Sequence, residues 1–118
     1  MFSDEQNNID RRRFPRVDFR EPIQFDLPTS SASGGCLGRD ISEGGLRINF
    51  EYFVKPNTVM NVQFRLAPGQ GKMTVEGRIA WARQVPSSDR YQLGVEFLGE
   101  NEDNQKHIRR YVISNHIK

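Results

Sequence analysis

The sequence has little cysteine, little lysine and no long apolar run. Each shortage argues against some classes of structure or ligand. Cys36 is the only cysteine, which excludes an intrachain disulfide and favours a reducing compartment. Because no histidine or metal-ligand spacing accompanies Cys36, a buried or idle thiol is favoured over a reactive one. Nowhere do about 18 consecutive apolar residues occur, which argues against a membrane-spanning helix.

The N-terminal residues MFSDEQNNIDRRRF lack the basic start and the apolar stretch of a secretory signal. We therefore expect no export and a cytoplasmic location. Residues 1–10 carry almost no apolar side chains, so they are predicted to be a disordered tail. A chain of 118 residues fits a single domain with one hydrophobic core.

Catalytic and metal-binding motifs are also missing from the sequence. It has no G-x-S-x-G elbow, no P-loop and no paired histidine and carboxylate motif, so an enzyme is not expected. His107 and His116 are nine residues apart, which fits no metal-binding pair. No metal site and no cofactor are predicted.

The basic residues are strongly biased towards arginine, which outnumbers lysine by 13 to 4 although the net charge is only +2. The planar guanidinium group suits two-pronged contacts to phosphates and guanine edges, whereas lysine acts as a hydrated point charge. The bias hints at an anionic, planar ligand, although arginines also cover the surfaces of β-sheets.

From residue 19 onward, apolar residues recur at every second position, which predicts half-buried strands. The clearest alternations fall in residues 23–27, 46–50, 60–66, 73–81 and 91–97. The Ser-, Ala- and Gly-rich residues 29–35 are predicted to form a loop. Near the C terminus the period changes and predicts an amphipathic helix over residues 104–116. Many short strands separated by Gly/Pro turns predict an antiparallel barrel or sandwich, closed at one end by the helix.

A first candidate site lies at Arg11 to Arg16, where four of six residues are arginines. Pro15 favours extended backbone for the residue before it. In an extended chain Arg12 and Arg16 lie on the same side, roughly 13 Å apart, a span that suits two ends of a nucleotide-sized ligand. Arg13 points away from Arg12, so contact with a phosphate and exposure to solvent are equally favoured for its side chain.

A second candidate site is the D-x-S-x-x-G pattern formed by Asp40, Ser42 and Gly45. Asp40 can accept hydrogen bonds from a guanine edge, and Ser42 can donate to a phosphate or a base. Gly44 and Gly45 let a backbone approach closely. The alternative is a β-turn in which Asp40 and Ser42 bond their own backbone and glycine supplies a positive φ.

Taken together, RRRFPR and DISEGG resemble the paired signature of PilZ domains, R-x-x-x-R and D/N-x-S-x-x-G. The later segments GRIAWAR (residues 77–83) and LGVEF (residues 93–97) are also similar to strands of that family. The resemblance covers residues 11 to about 98, and the family's C-terminal helix fits the remainder.

The resemblance implies a mainly β fold: a six-stranded antiparallel β-barrel with a C-terminal α-helix and a flexible N-terminal arm. On this expectation residues 11–18 form the ligand-binding arm, residues 19–99 the barrel and residues 104–116 the helix. The implied ligand is cyclic di-GMP. The residues implied to bind it are Arg12 and Arg16 of the first motif and Asp40, Ser42 and Gly45 of the second.

Arg11 has a further implication, because family members with an arginine before R-x-x-x-R tend to bind an intercalated dimer of cyclic di-GMP. Arg13, Gly44 and Trp81 are secondary candidates for contact with the ligand. For Trp81, packing in the core or at the rim is favoured over stacking on the ligand.

The resemblance therefore predicts a cyclic di-GMP receptor that signals to an unknown downstream protein, with no membrane or nucleic-acid partner. One alternative is a degenerate PilZ adaptor that binds only protein, but such members usually lose the arginine motif, which is intact here. Another is a barrel that binds single-stranded nucleic acid. The near-neutral charge and the acidic residues Glu51, Glu76 and Glu96 speak against it.

Overall fold

Seven β-strands and a C-terminal helix make up the part of the chain that the computed structural model describes, residues 15–99 and 101–116. The elements are β1 (Val17–Asp18), β2 (Pro22–Leu27), β3 (Ala32–Ser42), β4 (Gly45–Phe50), β5 (Val59–Phe64), β6 (Met73–Gln84), β7 (Tyr91–Phe97) and the helix α1 (Glu102–His116).

Six of the strands form a closed antiparallel barrel, as the sequence analysis predicted. They follow the order β3, β2, β5, β6, β7 and β4, and β4 pairs again with β3 to close the ring. The short β1 is an additional strand that pairs with the far end of β3. It lies in the segment that the sequence analysis assigned to the N-terminal arm.

The barrel core is built from the alternating apolar residues of the predicted strands. Ile23, Ile48, Val62, Ile79 and Leu93, from five different strands, are all at most 1% exposed. Burying a side chain of this kind contributes roughly 1.5–3 kcal/mol to folding. The residues between them point outward, so the outer surface of the barrel is available for polar groups.

The prediction of a loop over residues 29–35 is confirmed only for residues 29–31 and is wrong for the rest, because β3 already begins at Ala32. The hairpin turns at Ser31, which has a positive φ of 58°, and β3 then pairs with β2 from Ala32 to Leu37. Gly34 and Gly35 are exposed, so this half of the strand carries little hydrophobic signal. Its strand structure comes from pairing with β2 rather than from local propensity.

The helix α1 begins at Glu102, two residues before the predicted start. The side-chain oxygen of Asn101 accepts a hydrogen bond from the Asn104 amide at 3.0 Å, which caps the first turn. Ile108 and Val112 are buried, and α1 packs against β1 and β3. Among the described residues, no helix combines the length and apolar character that crossing a bilayer requires.

Candidate functional site

The outer face of the barrel carries one row of residues that crosses four neighbouring strands. Asp40 of β3 pairs with Arg47 of β4, Arg47 pairs with Gly94 of β7, and Gly94 pairs with Trp81 of β6. Because neighbouring strands lie about 4.8 Å apart, the row is roughly 14 Å long. It places a carboxylate, a guanidinium group and an indole side by side.

Asp40 is the most heavily engaged polar residue of this row. Its Oδ1 accepts a hydrogen bond from Arg16 at 2.7 Å. Its Oδ2 accepts one from Arg47 Nε at 2.9 Å and a second from a terminal nitrogen of Arg47. The residue is only 7% exposed, so the two arginines cover and neutralise a nearly buried carboxylate.

The electrostatics of Asp40 follow from these contacts. Burial by itself would raise the pKa of Asp40, but the hydrogen bonds and the positive charges of Arg47 and Arg16 more than offset it, and the pKa lies below the ordinary 3.8. The hydrogen bonds to Asp40 in turn raise the pKa of Arg47. The contact thus favours the ionised form of Asp40 and the protonated form of Arg47.

Ser42 and the glycines of the second motif have a largely structural arrangement. The Ser42 hydroxyl accepts a hydrogen bond from the Gly44 amide at 3.2 Å. This contact belongs to the alternative interpretation, a β-turn in which Ser42 bonds the local backbone. Gly45 does not supply a positive φ. It is required because a Cβ there would collide with the carbonyl oxygen of Val95 on β7. The backbone that approaches Gly45 closely is therefore that of the neighbouring strand β7.

Trp81 lies on the outer surface, directly over Gly94. A Cβ on Gly94 would overlap the indole ring, so the glycine makes room for it. Trp81 remains 37% exposed, and the guanidinium carbon of Arg83 lies 5.3 Å from the ring centroid. The packing position favoured for Trp81 is therefore combined with an exposed aromatic surface next to Arg83.

The structure brings Arg16, the described arginine of the first motif, together with the second motif. Arg16 and Asp40 are in direct contact, and Ser42 lies two residues further along the same strand face. Arg11, Arg12 and Arg13 lie outside the described residues.

The sequence analysis missed Arg47 and Gly94 as parts of this surface. The alternation in residues 46–50 already pointed Arg47 outward, away from its apolar neighbours. Its pairing with Asp40 was not readable because β3 contains an irregularity between Gly38 and Asp40, which shifts the register. A local pattern does not reveal such a shift.

Other chemistry has little support in the part of the structure that is described. Within residues 15–99 and 101–116, no three His, Cys, Asp or Glu side chains converge in a way that would hold a metal ion. Burial raises the pKa of the Cys36 thiol to about 12, so the thiolate is scarce at neutral pH.

Comparison with known proteins places these features in a family. The model of the PilZ domain matches residues 10–114. No curated protein matches the chain in sequence.

Solved structures with a similar fold include three bacterial proteins. The Bacillus subtilis inhibitor of motility (MotI/DgrA) aligns with a TM-score of 0.76 at 16% identity, over 89% of this chain and 51% of that one. Klebsiella MrkH, solved in complex with c-di-GMP, aligns at 0.72 and 15%, over 89% and 52%. The PilZ domain of Escherichia coli YcgR, solved with c-di-GMP, aligns at 0.70 and 15%, over 91% and 92%. The chain thus spans about half the length of the first two.

Proposed function

Since the chain belongs to the PilZ domain family, we propose that it is a cyclic di-GMP receptor that catalyses no reaction and acts by changing its affinity for a partner protein. The observation that carries the proposal is the contact between Arg16 and Asp40 at 2.7 Å. It joins the arginine motif to the D-x-S-x-x-G motif on one face of the barrel. Two local patterns that are weak separately therefore form one charged surface.

The chemistry of this surface suits a cyclic dinucleotide of guanine. Each guanidinium group of Arg16 and Arg47 can direct parallel donors at a phosphate or at O6 and N7 of guanine. The exposed ring of Trp81 offers a face on which a base can stack, worth about 1–3 kcal/mol per base. Arg83, next to the ring, adds positive charge for a phosphate.

The relatives support the same ligand. MrkH and the YcgR PilZ domain are both described in complex with c-di-GMP. At 15% identity they establish the shared fold, and the extension of their ligand to this chain rests on its own two motifs. The site that we propose comprises Arg11, Arg12, Arg16, Asp40, Ser42 and Gly45, with Trp81 kept from the secondary candidates and Arg47 added from the structure.

In this proposal residues 11–18 are the ligand-binding arm, and binding changes its conformation. Arg11, Arg12, Arg13 and Arg16 repel one another, so an anion favours their convergence beside Arg16, which already contacts Asp40. Cyclic di-GMP supplies two phosphates, so binding can offset an ordering cost of roughly 1–2 kcal/mol per residue. The altered surface would then change the affinity for a downstream partner.

Calorimetric titration tests the proposal directly. We expect cyclic di-GMP to bind more tightly than linear pGpG, and a short oligonucleotide not to bind. The fitted stoichiometry distinguishes one ligand from an intercalated dimer. A folded protein that binds no cyclic di-GMP is the degenerate adaptor, and preferential binding of the oligonucleotide identifies a nucleic-acid-binding barrel. Either result overturns the proposal.

A further inference from the structure

One segment of the barrel wall has an unpaired strand edge. The strand β4 pairs with β3 only from Leu37 onward and leaves the sheet after Phe50. The first half of β3 is paired on its other side with β2. Within residues 15–99 and 101–116, no strand covers the β4-side edge of residues 32–36.

The open edge presents backbone donors and acceptors at known positions. The amide of Gly38 donates to the carbonyl of Glu21 at 2.9 Å, which fixes the phase of the ladder between β2 and β3. Hydrogen-bonded pairs alternate in an antiparallel ladder, so Ser33 and Gly35 direct their N–H and C=O groups away from β2. These four groups are the template that an additional strand needs.

A cleft of about 320 Å³, lined by aromatic rings and by polar and charged side chains, lies beside this edge. The rings of Phe25, Phe50 and Tyr52 line it and contact one another in sequence, with centroids 4.7 Å and 5.0 Å apart. Tyr52 is 44% exposed, and the neighbouring Leu37 is 47% exposed. Exposed apolar groups that cluster beside an open edge mark an interaction surface.

The charges of the cleft indicate what can fill it. Glu51 and Arg90 both line the cleft, and within the described ranges neither takes part in an ion pair. A complementary segment carries one basic and one acidic residue. A second copy of β3 fits poorly, because it would bring Gly34 to the cleft and leave the rings of Phe25 and Phe50 uncovered.

We propose that the edge of β3 at Ser33 to Gly35 binds an extended segment of a partner protein. The segment adds a strand to the sheet and lies where β4 would lie if it continued beside β3 beyond Phe50. The segment has apolar residues at alternate positions, one acidic residue near Arg90 and one basic residue near Glu51. Main-chain hydrogen bonds provide affinity and the cleft selects the side chains. This inference does not depend on cyclic di-GMP.

The test uses a library of synthetic decapeptides with apolar residues at alternate positions and Lys and Asp at opposite ends, in either order. We expect members of the library to bind and to protect the amides of Ser33 and Gly35 from hydrogen exchange. Gly35→Pro, which removes the outward donor, should weaken binding about tenfold. Gly35→Ala keeps the donor and has room for its Cβ, so it should bind like the wild type.

Two further measurements keep the test decisive if Gly35→Pro fails to fold. Arg90→Glu makes both charged positions of the cleft acidic and should abolish the preference between the two peptide orientations, and methylation of a peptide backbone nitrogen that faces β3 should abolish binding. Failure of the whole library to bind overturns the proposal. So does slow exchange of the Ser33 and Gly35 amides without peptide, because the edge is then covered by residues 1–14 or by a second copy. Sedimentation separates those two cases, and unchanged cyclic di-GMP affinity in Arg90→Glu keeps this result separate from the ligand site.

Discussion

Trp81 occupies the space that a side chain at position 94 would need. Gly94 is buried, and a Cβ built on it would lie less than 3.0 Å from atoms of the indole ring, which is closer than Cβ atoms approach other heavy atoms in proteins. The indole is thereby held over β7, and Arg47 pairs with Gly94 from the other side. The missing side chain thus determines the position of the aromatic group of the proposed site.

Replacing Gly94 with alanine should displace the indole and weaken cyclic di-GMP binding. Trp81 is the only tryptophan, so its fluorescence reports its own environment. We expect an altered emission spectrum and an affinity loss comparable to that of Trp81→Ala, up to about 1–3 kcal/mol for a stacked base. Gly71→Ala, where a Cβ meets open space, is the matched control. Unaltered fluorescence and affinity in Gly94→Ala would contradict this role of the glycine.

Arg47 should matter for stability as well as for binding. Arg47→Ala removes two charge-assisted hydrogen bonds and leaves the Asp40 carboxylate nearly buried with one partner. We expect the free energy of unfolding to fall by about 1–3 kcal/mol, measured by urea denaturation. Arg78→Ala is the control, because its exposed pair with Glu96 is worth about 0–1 kcal/mol. Equal losses in the two variants would show that the Asp40 contact has no special weight.

The contribution of Asp40 to stability should depend on pH. Its pKa in the folded protein lies below the ordinary 3.8, so the ionised form is favoured by folding. The contribution is complete above 3.8 and is lost as the pH falls through the lowered pKa. The difference in unfolding free energy between wild type and Asp40→Asn should therefore shrink between about pH 6 and about pH 2. A constant difference over that range would mean that Asp40 does not titrate as described.

Arg16→Ala should weaken cyclic di-GMP binding by more than about tenfold and leave the fold intact, because a charge-assisted contact is worth about 1.5–3 kcal/mol. The same affinity loss is expected for Arg12→Ala, which lies outside the described residues. Arg20→Ala replaces another exposed arginine near the arm and should bind normally. Calorimetry gives the affinities and circular dichroism checks the fold. Normal affinity in a folded Arg16→Ala variant would remove the first motif from the site.

The sequence predicted those parts of the fold that have a strong local period. The alternation around Ile48 and Val62 marks strands whose inward residues must be apolar in any closed barrel. The first half of β3 was missed because Ser33, Gly34 and Gly35 carry no such period. They form a strand because they pair with the neighbouring β2, and a pairing between distant segments cannot be predicted from the sequence of either segment alone.

The candidate site was predictable to the extent that its residues form local motifs. Asp40 and Ser42 could be found because their spacing is short and specific. Arg47 and Gly94 could not, because they reach the site through strand pairing and through an irregularity in β3.

The role of Asp40 in base recognition can be tested separately from its role in holding the arginines. Both carboxylate oxygens already accept hydrogen bonds, so a guanine edge must displace an arginine or share an oxygen with it. If guanine N1–H and N2–H reach Asp40, Asp40→Ala should lose more affinity for cyclic di-GMP than for cyclic di-AMP, which lacks that pair of donors. If Asp40 only positions Arg16 and Arg47, both ligands should lose affinity equally. Because the sequence pairs Asp40 with an arginine motif, we expect the unequal result, and equal losses measured by calorimetry would assign Asp40 a positioning role alone.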